Sequence, residues 1–332
     1  MTHRIINHTI RTAFLACLAS ILLTSCEDLL VKELDIEEDF NFTEQLGLSG
    51  SLVNNYTELS APVFSRILLA ENQSVVDQVA EPVYFATDAL DLYKDGDYFN
   101  TFTSIPDGQH INQVQGSNDP SFVFEPADYR IEVDHPEFGF ISAETQMPNP
   151  VFVNSIEIDS FNFGGAEFED ETRYLVTVQF DDPPSDNYYK IDLDADAAVL
   201  GIDTVIYGLD TFTFERRLDY YIESINLQGA QESYNGGYLF DDSVFDDSEF
   251  TFTFNMVVFN GDDLAQADLE ELFSLKWSCL SEELYNFETS YTNFRNSQDF
   301  GPFSEPVSVY TNVENGLGYF GAENYYFVPF DE

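Results

Sequence analysis

Apolar and charged residues alternate with a period of two in run after run of this chain, and that rhythm admits strands. The clearest case is Tyr129-Arg130-Ile131-Glu132-Val133. Successive side chains of a strand point to opposite faces, so Tyr129, Ile131 and Val133 share one face while Arg130 and Glu132 take the other. Asn187–Asp196 repeats the pattern, with Tyr189, Ile191, Leu193 and Ala195 on one side. Ile156–Phe163, Arg173–Phe180 and Phe250–Phe259 are β-prone in the same way, and Phe273, Leu275 and Trp277 share a face. The 32 Phe and 19 Tyr supply a large core and favour strands, which argues against disorder despite the charge.

The runs fall into two groups. Residues 46–147 carry short strands at Leu48–Val53, Phe64–Leu69, Val83–Ala86, Leu90–Tyr93, Tyr98–Phe102, Ser121–Phe124, Tyr129–Val133 and Phe140–Thr145. Asp95-Gly96 is a strong hairpin signal between the fourth and fifth. This spacing predicts a β-sandwich. Met147-Pro148-Asn149-Pro150 is an extended connector, since two prolines in three residues do not fit inside a sheet. Residues 151–332 then form a second β-rich domain with one substantial helix at about 281–297. Ser281 is its expected N-cap, Glu282 and Glu283 sit favourably in its first turn, and Leu284, Phe287, Tyr291 and Phe294 make a stripe at helical spacing, read as core packing. The expected fold class is mainly β.

The first 45 residues read differently. Arg4 and Arg11 precede an apolar stretch from Thr12 to Leu23, which has the dimensions of a signal-peptide core and is short of the roughly 20 residues of a membrane span. Leu23-Thr24-Ser25-Cys26 follows. This resembles the bacterial lipobox, which implies a signal peptide over 1–25 and diacylglycerol on Cys26. Several acyl chains would hold the protein firmly on a bilayer. Residues 26–45 are an acidic tether that includes Glu27, Asp28, Glu33, Asp35, Glu37, Glu38 and Asp39.

Charge narrows the partners. Twelve Lys and Arg stand against 61 Asp and Glu; removing residues 1–25 takes two arginines and no acid, leaving 10 against 61 and a formal charge of −51. Such a surface repels nucleic acid and anionic headgroups, which argues strongly against a nucleic-acid role.

Candidate chemistry is sparse. Beyond Cys26 the processed chain keeps only Cys279, and its histidines are His110 and His135. That allows no internal disulfide, no thiolate metal site and no three-histidine zinc site. Asp192, Asp194, Asp196 and Asp203 have a spacing similar to a calcium loop, but Ala197 stands where the turn glycine belongs, so calcium is at most a weak candidate and no other cofactor is expected. Asp241-Asp242, Asp246-Asp247 and Asp262-Asp263 admit weak calcium binding or, as the plainer reading, solvated turns. Tyr234, Tyr238 and Phe240 around Asn235-Gly236-Gly237 admit a binding platform or, more in keeping with the glycines, a hairpin turn. With 61 acids some carboxylate pair always has glycosidase spacing, so that signal carries no weight. No catalytic residue is assigned.

The C-terminus carries the most specific pattern. Gly301-Pro302-Phe303-Ser304-Glu305-Pro306-Val307 is followed by Asn312-Val313-Glu314-Asn315-Gly316-Leu317-Gly318-Tyr319-Phe320-Gly321-Ala322. It resembles the closing signature of a Bacteroidetes lipoprotein family catalogued as a domain of unknown function. Asp181-Asp182-Pro183-Pro184, Asn187-Tyr188-Tyr189 and Ala143-Glu144-Thr145-Gln146-Met147-Pro148 agree with it. The resemblance implies a transthyretin-like or immunoglobulin-like first domain, display on the cell surface through the acidic export signal, with the periplasmic leaflet as the alternative, and an accessory role beside a TonB-dependent β-barrel receptor. Within that lineage Asp203-Thr204-Val205 and Asp242-Ser243-Val244 are similar to its short O-glycosylation pattern. A structural or adhesive surface module and a tethered hydrolase are the alternative functions. By residue chemistry alone, Gly316, Gly318 and Gly321 point to unusual backbone angles or close chain approach in a final strand.

Overall fold

A computed structural model describes residues 44–57, 65–71, 85, 90–104, 109–111, 123–161, 171–195, 199–207, 210–217, 219–245, 249–259, 272–298 and 307–330. Among them are nineteen strands, one α-helix and a short 3-10 turn, so the chain is mainly β.

Half of the architecture is a curled sheet. Its strands are β1 (Leu46–Asn55), β2 (Arg66–Glu71), β3 (Leu90–Lys94), β4 (Asp97–Ser104), β5 (Gln109–Ile111), β6 (Asp128–His135), β7 (Gly139–Gln146), β18 (Val313–Glu314) and β19 (Leu317–Pro329). They lie in the order β19-β1-β2-β5-β4-β3-β6-β7-β18. The last of these, β18, runs through Asn315 and Gly316 directly into β19, the first, so the chain itself bridges the two ends of the run. Alternation in β6 buries Tyr129, Ile131, Val133 and His135 and leaves their neighbours outward. The enclosed core holds Leu48, Leu52, Leu69, Leu92, Phe102 and Ile141, joined from the far end of the chain by Val313, Phe320 and Ala322.

Beyond β19 the sheet continues through β17 (Phe273–Leu280), β10 (Tyr188–Ala195), β15 (Tyr238–Asp241) and β14 (Gln231–Glu232). A four-stranded sheet has the order β13-β16-β9-β8, with β8 Val153–Phe161, β9 Glu171–Asp181, β13 Asp219–Ile225 and β16 Glu249–Phe259. The two faces meet in a second core. Trp277 is fully buried there, 4.8 Å from the Phe180 ring and 5.3 Å from Tyr189. A hairpin of β11 (Val199–Tyr207) and β12 (Asp210–Arg217) pairs only with itself among the described residues. One core takes residues up to Met147 together with Val313, Phe320 and Ala322, the other takes residues from Val151 onward, and β19 serves both, pairing with β1 in parallel and with β17 in antiparallel.

Two local expectations change. The described end of the run at 121–124, Val123-Phe124, is not a strand. The Asn54 side chain takes the place of a ladder partner: its Nδ2 donates to Phe124 O at 2.9 Å and its Oδ1 accepts from Phe124 N at 2.8 Å. In the helix α1 (Glu282–Gln298) the aromatic stripe is not the deepest face. Leu284, Glu288 and Thr292 are buried, while Phe287 and Tyr291 are half-covered and pack on Tyr319 and Tyr234. Of the expected strand at Val83–Ala86, all but Phe85 lies outside the described residues.

Candidate functional site

Helix α1 begins at Ser281 because that side chain caps it. Ser281 Oγ accepts Leu284 N at 3.2 Å, satisfying one orphan donor of the first turn, and Ala322 N of β19 at 3.1 Å. Thr145 Oγ1 of β7 lies 3.0 Å from Ser281 Oγ and 2.9 Å from Glu283 Oε2. The helix start is thereby fastened to the last turn of β7 and to the middle of β19. Gly321 makes this possible: a Cβ there would stand 2.7 Å from Leu284 Cβ.

A cavity of about 570 Å³ opens beside this junction. Its walls are the connector at Gln146–Asn149, the turn at Ser185–Tyr188 and the first residues of the helix. Asp186, Glu282 and Glu283 make it acidic, and Gln146, Asn149 and Asn187 add amides. Asn187 is held by its N–H to Asp242 Oδ2 at 2.7 Å and by its Nδ2 to Pro183 O at 3.0 Å. Burial, then the charges of Glu282, Asp186, Asp241 and Asp242, push the Tyr188 hydroxyl up to about 12, so it stays a neutral donor. Segments far apart in sequence thus converge here: the end of β7, the Asp181–Tyr189 turn and the start of α1, with β19 behind them.

The outer face of the sheet next to α1 carries one buried and one partly buried ion pair. Lys190 Nζ lies 2.9 Å from Glu288 Oε2, with side-chain exposures of 9% and 7%. Lys276 Nζ lies 2.8 Å from Glu323 Oε1. Burial alone would raise the Glu323 carboxyl, but Lys276, with help from Ser278, outweighs it and holds the group below the usual carboxylate range. On Lys276 burial pulls down, and Glu323 more than compensates. These pairs were not legible beforehand, because their partners lie 98 and 47 residues apart.

The candidates singled out in the sequence are placed as follows. Cys26 and Asp196 lie outside the described residues. Asp192 and Asp194 are on strand β10 rather than in a loop, and Asp192 faces Lys276 across the ladder. Burial raises the Asp192 carboxyl. Asp203 is in β11. Among the described residues no three of His, Cys, Asp and Glu gather closely enough to hold a metal ion. Tyr238 and Phe240 form no platform; they are buried core residues, and Asn235-Gly236-Gly237 is a turn in which both glycines have positive φ (99° and 74°). Asp241 caps the 3-10 turn Asp242–Val244, which leaves Ser243 exposed. His135 is buried, its Nδ1 accepting Glu137 N at 3.3 Å. Cys279 is buried, its thiol pushed up to about 12 by the loss of water. A thiol so placed is no nucleophile at neutral pH.

No helix among the described residues is long and apolar enough to cross a membrane. No curated protein matches the chain. The model of a family described as Domain of unknown function (DUF4249) matches residues 34–326, and the chain belongs to that family.

Proposed function

We propose that this protein is a lipid-anchored outer-membrane lipoprotein, facing the cell surface, that assists a TonB-dependent β-barrel receptor in capturing or admitting a nutrient. The observation that carries this reading is Leu23-Thr24-Ser25-Cys26, set at the end of the mainly apolar stretch Thr12–Leu23 and followed by an acidic tether. The acidic groove at Asp186, Glu282 and Glu283 supplies the recognition surface in this reading, and no catalytic step is assigned to it. The resemblance of the C-terminal signature to surface lipoproteins of the Bacteroidetes supports the partner.

The anchor and the partner are tested separately. Cys26→Ser abolishes labelling by fatty acid and releases the protein to the soluble fraction; label retained on the variant refutes the lipobox. Protease added to intact cells digests the protein, and alanine at Glu27, Asp28, Glu33 and Asp35 reduces that digestion. Purification in mild detergent brings down a β-barrel receptor; its absence, with the anchor intact, removes the transport role and leaves a structural surface module.

A further inference from the structure

Lys190, Asn235, Ser233 and Glu288 form one closely packed hydrogen-bonded constellation. Lys190 sits mid-strand on β10, opposite Leu239 of β15, and is buried, as is Glu288 on α1. Its Nζ donates to Glu288 Oε2 at 2.9 Å and to the side-chain carbonyl of Asn235. Asn235 belongs to the exposed turn between β14 and β15, but its Oδ1 is turned inward to the lysine. Ser233 Oγ lies 2.6 Å from Asn235 Oδ1 and 2.6 Å from Glu288 Oε2. The turn is held in place on both sides, by Arg295 Nη1 donating to Tyr234 O at 3.2 Å and Gln231 Nε2 donating to Thr289 Oγ1 at 2.6 Å.

We propose that Lys190 and Asn235 become joined by a side-chain amide bond that the folded protein forms on itself. An amine, a carbonyl carbon beside it, a carboxylate to carry the proton and a hydroxyl aimed at the carbonyl oxygen are the parts amide exchange requires. In the first step one proton moves from Nζ to Glu288 Oε2, which leaves a free amine. Nζ then attacks Asn235 Cγ, and the C–N bond forms as the carbonyl π electrons move to Oδ1, where the Ser233 hydroxyl donates to them. The proton on Glu288 passes to Nδ2 and the Cγ–Nδ2 bond breaks; the freed Glu288 carboxylate takes the second proton from the now cationic Nζ and hands it to the released ammonia, which leaves through the open turn as ammonium. The carbonyl re-forms. Atoms balance with one ammonia lost, and no oxidant or co-reactant is needed. Fixing the reacting groups on one strand and one clamped turn supplies the proximity that makes so slow an exchange feasible. The product staples the β14–β15 hairpin, which ends the long sheet, to the strand beside it.

Tryptic digestion and mass spectrometry of the full-length protein test this. Trypsin cuts after Arg173, Lys190, Arg216, Arg217 and Lys276. The expected product is residues 174–216, uncut at Lys190, branched through Asn235 onto residues 218–276, and lighter than the two peptides by one ammonia. A digest in which Lys190 is cleaved throughout overturns the proposal. Asn235 precedes Gly236, so ring closure onto the Gly236 nitrogen also expels ammonia; K190R separates the two. Loss of the mass deficit in K190R supports the lysine bond, and its persistence assigns the deficit to the imide and refutes the bond. Glu288→Gln is expected to leave the chains unlinked, and linkage at the wild-type level in that variant removes Glu288 from the step. The wild-type digest decides the matter even where a variant fails to fold.

Discussion

Gly318 shows how little latitude single positions have in the closing strand. Its φ is 102°, and a Cβ there would stand 2.0 Å from Leu48 O of the paired strand. Gly229 has a similar φ of 85° with nothing near it. Gly229→Ala therefore meets only the left-handed backbone cost of about 1–2 kcal/mol, whereas Gly318→Ala adds displacement of β1 and is expected to cost about 3 kcal/mol or more. Denaturant melts of the two variants check this, and equal losses would show that the strand pair yields freely. At Glu323 the expectation concerns pH. Its folded pKa lies below the unfolded value of about 4.3, so the pair's stabilisation is complete above that pH and is lost as pH falls through the folded pKa. Glu323→Gln leaves a partly buried Lys276 without its partner and is expected to cost about 1–2 kcal/mol at neutral pH. That deficit should shrink steadily in acid below about pH 4. A deficit of the same size at both pH values contradicts the pairing.

Among elements, α1 shows where sequence reading works and where it stops. Its start was legible because the signals are local: Ser281 caps, and Glu282 and Glu283 complement the helix N-terminus. Its buried face was not, because the stripe of Leu284, Phe287, Tyr291 and Phe294 reads as the core side by hydrophobicity. Glu288 occupies that side instead, since Lys190 and Ser233 await it there. The hairpin at Asp95-Gly96 was legible for the same local reason, while the non-strand at Phe124 depended on an amide 70 residues away. Ser281→Ala removes the cap, worth about 1 kcal/mol, and also leaves Ala322 N without its acceptor, which adds about 1–3 kcal/mol. The expected total of about 2–4 kcal/mol is read from unfolding curves, and a loss no larger than an isolated cap would separate α1 from β19.

At the scale of the whole molecule, charge dominates. Lys94, Arg130, Arg173 and Lys276 each lie within ion-pair distance of a carboxylate, so these few cations are spent internally and the exterior stays acidic. Repulsion among exposed carboxylates is screened over about 10 Å at 0.1 M salt and about 3 Å at 1 M. The melting temperature should rise over that range, equally in sodium and potassium chloride. A specific calcium site would instead respond to millimolar calcium and not to magnesium. A melting temperature unmoved by either shows that the carboxylates are harmlessly spaced. The mainly β class, the connector and the aromatic cores were readable from alternation and proline. The single sheet running through both halves was not, because nothing in β19 names its partner β1, some 270 residues earlier.

That pairing has a consequence for how the protein comes into being. Translation proceeds from β1 toward β19, so the strand that belongs to both cores is among the last to emerge, and Leu46–Asn55 must wait beside a vacant position until Leu317–Pro329 arrives. Contacts so distant along the chain are slow to form, because a long loop must close before any of its burial is gained. A nascent chain interrupted before residue 317 has Phe320 and Ala322 missing from one core and Val328 from the other. Such fragments present open strand edges and unsealed aromatics, which marks them for holding factors and proteases, while the chain that includes β19 can complete both halves at once. The molecule thereby carries its own test of completeness, applied at the moment of folding.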